Sequence, residues 1–156
     1  MEIKLREMTY GDVYDIYEAN IGNVKKYFYD FGDLESAKSW VRLAMKDVRC
    51  NIKREYCVEV DGKFAGLFGF WLDGGDSTEV SLWLSPCFQN KGVAKHALQL
   101  LEEVILQWGI FCINYMADSE NAISQKLALS CGYIPMHLDA ITNANFFYKE
   151  LGNTTR

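Results

Sequence analysis

Gln89-Asn90-Lys91-Gly92-Val93-Ala94 joins a stretch that reads as a β-strand to one that reads as a long helix. Before it, Thr78-Glu79-Val80-Ser81-Leu82-Trp83-Leu84 combines β-branched, aromatic and aliphatic residues, and Ser85-Pro86 ends the run. After it, apolar residues recur at Ala94, Ala97, Leu98, Leu101, Val104, Ile105 and Trp108, the stripe of an amphipathic helix. Gly92 permits unusual φ/ψ and close backbone approach where the first helical N–H groups lack intrahelical partners. Those groups and the positive end of the helix dipole form a seat for an anion, most naturally phosphate, and Lys91 can add charge. Taken alone, the six residues also fit an ordinary strand–helix turn, so the rest of the chain has to decide.

A chain of 156 residues with 49% hydrophobic content and two prolines is expected to form a single domain spanning residues 1–156. No run approaches the roughly 18–20 apolar residues that cross a membrane. The N-terminal Met1-Glu2-Ile3-Lys4-Leu5-Arg6 lacks the layout of a signal peptide, so a cytoplasmic protein is expected. The five cysteines (Cys50, Cys57, Cys87, Cys112, Cys131) are widely spaced with no C-x-x-C pair, which reads as reduced thiols serving mostly as small core residues. His96 and His137 stand far from any cysteine pair, so no metal site is expected. A net charge of −5 argues against nucleic acid and permits a cationic substrate.

Further strands are expected at residues 3–8, 56–60, 63–72, 110–117, 133–138 and 145–151, with Asp61-Gly62 as a two-residue hairpin turn. Thr9 or Asp12 caps a helix with Val13, Ile16, Tyr17 and Ile21 on its apolar face. An aromatic loop between Gly22 and Asp33 follows, and Asp33 caps a second helix. A shorter helix covers residues 121–130 and stops at Gly132. The order β-α-α-β-β-β-α-β-α-β-β implies an α/β fold, a mixed sheet with helices on its faces.

This order, with Glu79-x-x-Leu82-x-Leu84-x-Pro86 followed by Gln89-x-x-Gly92-x-Ala94, resembles the GNAT superfamily of N-acetyltransferases. A second segment, Asn121-x-x-Ser124-x-x-Leu127 with Gly132-Tyr133, is similar to N-x-x-S…G-[FY] in the branch of ribosomal-protein and spermidine acetyltransferases. The resemblance covers essentially the whole chain and implies acetyl-CoA as cofactor. It implies that the pantetheine arm pairs with the backbone of Leu82, Trp83 and Leu84. It likewise places the pyrophosphate on Gln89, Asn90, Lys91, Gly92, Val93, Ala94 and Lys95. Asn121 would bond pantetheine by the same resemblance, while its residue type fits a helix N-cap equally well.

Acyl transfer to an amine needs an unprotonated nucleophile, a polarised carbonyl and a proton or hydrogen bond for the departing thiolate. Neutralising an alkyl amine of pKa near 10.4 at pH 7 costs about 4.6 kcal/mol, against about 1.4 kcal/mol for an α-amine near 8. Alternation puts Glu79, Ser81 and Trp83 on one strand face, which makes Glu79 the candidate base or substrate anchor, with a solvated strand-end glutamate as the plain alternative. Many relatives carry a tyrosine seven residues after the asparagine and some a glutamate five before it; here these are Ala128 and Met116. Ser124, matching the serine of the branch without that tyrosine, is by resemblance a candidate donor to the sulfur or a contact to the cofactor, with Tyr115 and Tyr148 as further substitutes. By resemblance the acceptor pocket lies around the first two helices, drawing attention to Tyr27, Phe28, Tyr29, Asp30, Phe31 and Asp33, where aromatics beside carboxylates suit an amine. The expected function is therefore an acetyl-CoA-dependent N-acetyltransferase moving acetyl to a primary amine (peptide N-terminus, polyamine or another small amine) by direct transfer. No membrane partner is expected, and the chain acts as monomer or homodimer. A CoA-binding protein of the same fold with little catalysis is the alternative, since both usual proton-transfer residues are replaced.

Overall fold

A computed structural model of the chain describes residues 1–73 and 75–152. Seven strands form one sheet in the order β1-β2-β3-β4-β5-β7-β6. They are β1 (Ile3–Glu7), β2 (Lys53–Val60), β3 (Lys63–Trp71), β4 (Ser77–Leu84), β5 (Cys112–Asp118), β6 (Ile134–Asp139) and β7 (Ala144–Glu150). Only β4 and β5 pair in parallel; every other neighbouring pair is antiparallel. Helices α1 (Val13–Glu18), α2 (Gly22–Tyr27) and α3 (Leu34–Arg49) lie between β1 and β2, α4 (Val93–Gln107) follows β4, and α5 (Ala122–Ser130) follows β5.

The sheet's two faces bury separate cores, as period-2 alternation requires. On one face Phe68, Phe70, Val80 and Leu84 pack with Ala97, Leu98, Leu101 and Ile105 of α4. On the other, Cys57, Leu67 and Trp83 pack with Val13, Ile16 and Val41 of α1 and α3. At the hairpin, Asp61 and Gly62 both take positive φ (50° and 81°) and Val60 faces Lys63, the turn that a twisted two-residue hairpin needs.

The segment after β1 departs from expectation. Ile21 is extended and exposed, not on a helix face, and Gly22 takes φ 57°, so the helix that starts near Thr9 ends at Glu18. A separate short helix, α2, then occupies the start of the expected aromatic loop, anchored by buried Val24. β2 begins three residues earlier than its apolar run, at Lys53, because Lys53 and Glu55 are buried together at 3.2 Å. Of the cysteines, only Cys57 and Cys131 are buried; all five are free thiols. No described helix is long and apolar enough to cross a membrane.

Candidate functional site

The parallel pairing of β4 with β5 is short. It runs over Ser77↔Cys112, Thr78↔Ile113 and Glu79↔Asn114 and stops there. Beyond that point, residues 80–84 keep β3 as their neighbour, and residues 115–118 keep β7. The two strands diverge, and their facing edges line a cleft of about 500 Å³ in the middle of the sheet. Unpaired strand edges are a template for an extended ligand that carries its own amides.

At one end of the cleft lies the loop into α4. A single turn at Pro86–Phe88 ends β4, and the Gln89 side chain then folds back: its Nε2 donates to the Leu84 carbonyl at 2.9 Å. The same amide exchanges two bonds with Asn23 of α2, at 2.8 and 2.9 Å. Asn90 and Gly92 both take positive φ (59° and 80°). The first helical bond runs from the His96 N–H to the Gly92 carbonyl, so the amides of Val93, Ala94 and Lys95 precede it. The buried Val93 side chain fixes this helix end on the core, while the Lys91 and Lys95 side chains are exposed. A Cβ on Gly92 would meet nothing within 4 Å, so the space beside this residue is open. Gln89, Asn90 and Ala94 reach the cleft wall.

Glu79 stands on the wall, exposed, on the strand face that also carries Ser81 and Trp83. Among the described residues, the charged ones on the wall are Glu79 and Asp118, and no lysine, arginine or histidine lines the cleft. Trp83 is buried against Phe28 (ring centroids 5.4 Å), and its Nε1–H has no hydrogen-bond partner among the described residues. Opposite, Asn121 caps α5, its side chain accepting from the Ser124 N–H at 3.3 Å, and both residues face the cleft. The Tyr115 hydroxyl lies 2.8 Å from Ser124 Oγ, and burial pushes this phenol up to about 12. Leu82 and Leu84 complete the β4 side. Met116 is an exposed part of the wall, and Ala128 is wholly buried in the α4-side core.

Of the loop residues considered for an acceptor, only some reach the cleft. Tyr27 and Phe28 line the cleft. Phe31 is instead core, clustered with Phe28 and Trp40. Asp33 caps α3, accepting from the Ser36 N–H at 2.8 Å, and that bond holds its carboxyl below the ordinary range. Asp30 accepts from the Gly32 N–H and sits 3.7 Å from Lys25, and Tyr29 is exposed; none of these four is on the cleft wall. Tyr148 is bonded to Cys112 and Glu150, also away from the wall.

Reading the sequence missed three features near the site. Asn23 pairs with Gln89, but a contact across 66 residues leaves no local signal. Trp71 joins the wall, and its ring lies 5.0 Å from the Lys53 ammonium, which also lies 5.2 Å from the Trp40 ring. Glu55, paired with Lys53, is raised by burial, which outweighs the lysine charge. The register Glu55↔Gly69↔Ser81 carries the signal that was available: a Cβ on Gly69 would stand 2.9 Å from the Glu55 carboxyl carbon.

Three solved structures share this arrangement of strands and helices. The ribosomal L7/L12 α-N-protein acetyltransferase in complex with coenzyme A superposes with a TM-score of 0.84 at 16% identity, over 96% of this chain and 94% of that one. The microcin C7 self-immunity acetyltransferase, in complex with acetyl-CoA and AMP, gives 0.84 at 20% identity, over 96% and 93%. Spermidine N-acetyltransferase from Vibrio cholerae, in complex with CoA and spermine, gives 0.79 at 21% identity, over 95% of each chain. No curated protein matches at the level of sequence. The family described as the acetyltransferase (GNAT) domain matches residues 2–134, which include the split strands, the loop and the first turns of both flanking helices. With the divergence of β4 from β5 and the amides heading α4 lying inside that match, the chain belongs to the GNAT acetyltransferase family.

Proposed function

We propose that the chain is an acetyl-CoA-dependent N-acetyltransferase that moves the acetyl group directly to a primary amine bound in the same cleft. The observation that carries this is the cleft itself: open strand edges leading to a helix N-terminus, with two carboxylates and no cation among the described residues of its wall. The residues fit acetyl-CoA. Backbone groups of Leu82, Trp83 and Leu84 on the open edge suit the amides of a pantetheine arm. The amides from Asn90 to Lys95 and the open space beside Gly92 suit a pyrophosphate. Bound there, acetyl-CoA supplies a thioester reactive toward amines.

The chain's own residues then have separable tasks. Glu79 attracts the ammonium form of the acceptor and takes its proton, directly or through water. Ser124, facing the cleft beside Asn121, donates to the sulfur as charge develops there. Tyr27 and Phe28 provide the aromatic wall for the acceptor, from the side of α2. Tyr29, Asp30, Phe31 and Asp33 act at most through the shape of that loop.

Release of free thiol from acetyl-CoA, with peptides bearing free N-termini, polyamines and amino sugars as acceptors, tests the reading. One class should give turnover, and Glu79→Gln should lower kcat/KM by about 100-fold or more near neutrality. That loss should shrink as rising pH deprotonates the amine without help. Tight CoA binding with no turnover on any amine would leave a CoA-binding module in place of an enzyme.

A further inference from the structure

The Tyr115 hydroxyl touches two oxygens of one residue: Ser124 Oγ at 2.8 Å and the Ser124 carbonyl at 2.9 Å. The Tyr115 ring is locked by an edge-on contact with Phe147 (5.9 Å) and by Tyr133 (5.4 Å). It is 2% exposed, yet both Tyr115 and Ser124 reach the cleft. A phenol has one proton to give. Directed at the carbonyl, it leaves the Ser124 proton to fall back on the tyrosine oxygen, and Ser124 offers the cleft only lone pairs. Directed at Oγ, it frees the Ser124 proton to point into the cleft.

We propose that Tyr115 is the positioning residue that sets the donor direction of Ser124, turning the serine hydroxyl toward the sulfur of the acyl donor as negative charge builds there. This rests on reading the cleft as an acetyl-CoA site. In the step concerned the carbon–sulfur bond breaks and its electron pair stays on sulfur, while the amine's proton leaves through Glu79 or water. Neither hydroxyl is consumed. A thiolate whose conjugate thiol has a pKa of about 8.5 is too weak a base to deprotonate a tyrosine held near 12, so the pair donates hydrogen bonds and the sulfur takes its proton from solvent.

The decisive measurement is the ionisation of the thiol of bound CoA, followed by thiolate ultraviolet absorbance, in the parent protein, Tyr115→Phe, Ser124→Ala and the double variant. Phenylalanine keeps the ring packing and removes only the hydroxyl. Each single variant should leave about tenfold less thiolate at a given pH, a rise of about one pKa, and the double variant should add nothing. The turnover number should fall in parallel in both, with KM for acetyl-CoA unchanged. A Tyr115→Phe protein with the parent's thiol titration, beside a Ser124→Ala protein that has lost it, overturns the role of Tyr115 alone; so do losses that add. If no amine is acetylated, the thiol titration still decides the point, whereas failure to bind CoA removes the site reading and this inference together.

Discussion

Gly92→Ala separates the strain of a left-handed residue from the binding of a phosphate, because the chain supplies its own control. Gly92 and Gly132 have nearly the same conformation, φ 80° and 84°, and a Cβ on either would meet nothing within 4 Å. An alanine in either place therefore meets only backbone strain, about 1–2 kcal/mol for an L residue in the left-handed region. In a chain of this size about 1 kcal/mol corresponds to some 2–4 °C in Tm, so both variants should melt a few degrees low. The two positions differ in what lies above them. Gly132 follows the C-terminal end of α5, where carbonyls point outward, whereas Gly92 heads the amides of α4 beside the cleft. A methyl group there stands in the approach of an anion to those amides. Losing one amide bond to a charged phosphate costs about 1.5–3 kcal/mol, or about 10- to 150-fold in Kd. Calorimetric titration with CoA, read beside thermal melts, measures both quantities. Equal CoA affinity in Gly92→Ala and Gly132→Ala would refute the assignment of the α4 N-terminus as the phosphate seat.

Three other expectations follow from contacts around the cleft. Asp33→Ala should lower Tm through loss of the 2.8 Å cap on α3 and leave the KM for any amine unchanged; a raised KM would return Asp33 to acceptor recognition. Because the Glu55 pKa is raised, its contribution to stability is complete below the ordinary glutamate range and is lost as pH climbs through the raised value. Denaturant titrations should therefore show the parent losing stability with rising pH relative to Glu55→Gln, and Lys53→Met should cost about 3–5 kcal/mol at neutrality but less in acid; a pH-independent difference would contradict this. Asn23→Ala and Gln89→Ala should show a coupling of about 1–3 kcal/mol in a double-mutant cycle on stability, from their two mutual bonds, and strict additivity would mean that the strut carries no load.

What the sequence disclosed depended on whether a feature is local. The Asp61-Gly62 turn, the α4 stripe and the caps at Asp33 and Asn121 each follow from residues a few positions apart, and each is present. The short helix α2 is different. Six residues give too little periodicity to distinguish from a loop, and α2 is held by burial of Val24. Charged residues hid the start of β2 in the same way: the apolar run begins at residue 56, yet Lys53 and Glu55 belong to the strand and are buried, which their pairing and the bare Gly69 allow. The gap between β4 and β5 is written in neither alternation nor composition. Three paired residues and seven would look alike in sequence, and the family resemblance, not periodicity, supplied the expectation that a ligand arm pairs with the backbone of residues 82–84.

On the proposed function, Gln89 argues against dividing the site into a cofactor half made by the loop and an acceptor half made by the first helices. Its resemblance to a phosphate-loop residue directs attention to the backbone, yet the side chain spans both halves. One amide nitrogen closes on the Leu84 carbonyl, at the end of the strand that would carry the pantetheine arm. The same amide group exchanges bonds with Asn23, on the helix that brings Tyr27 and Phe28 to the wall. The separation between the aromatic wall and the amides of α4 is thus set by neutral amides, which neither titrate nor weaken with salt as a surface ion pair would. A strut built from asparagine and glutamine therefore holds that separation independently of pH and of salt.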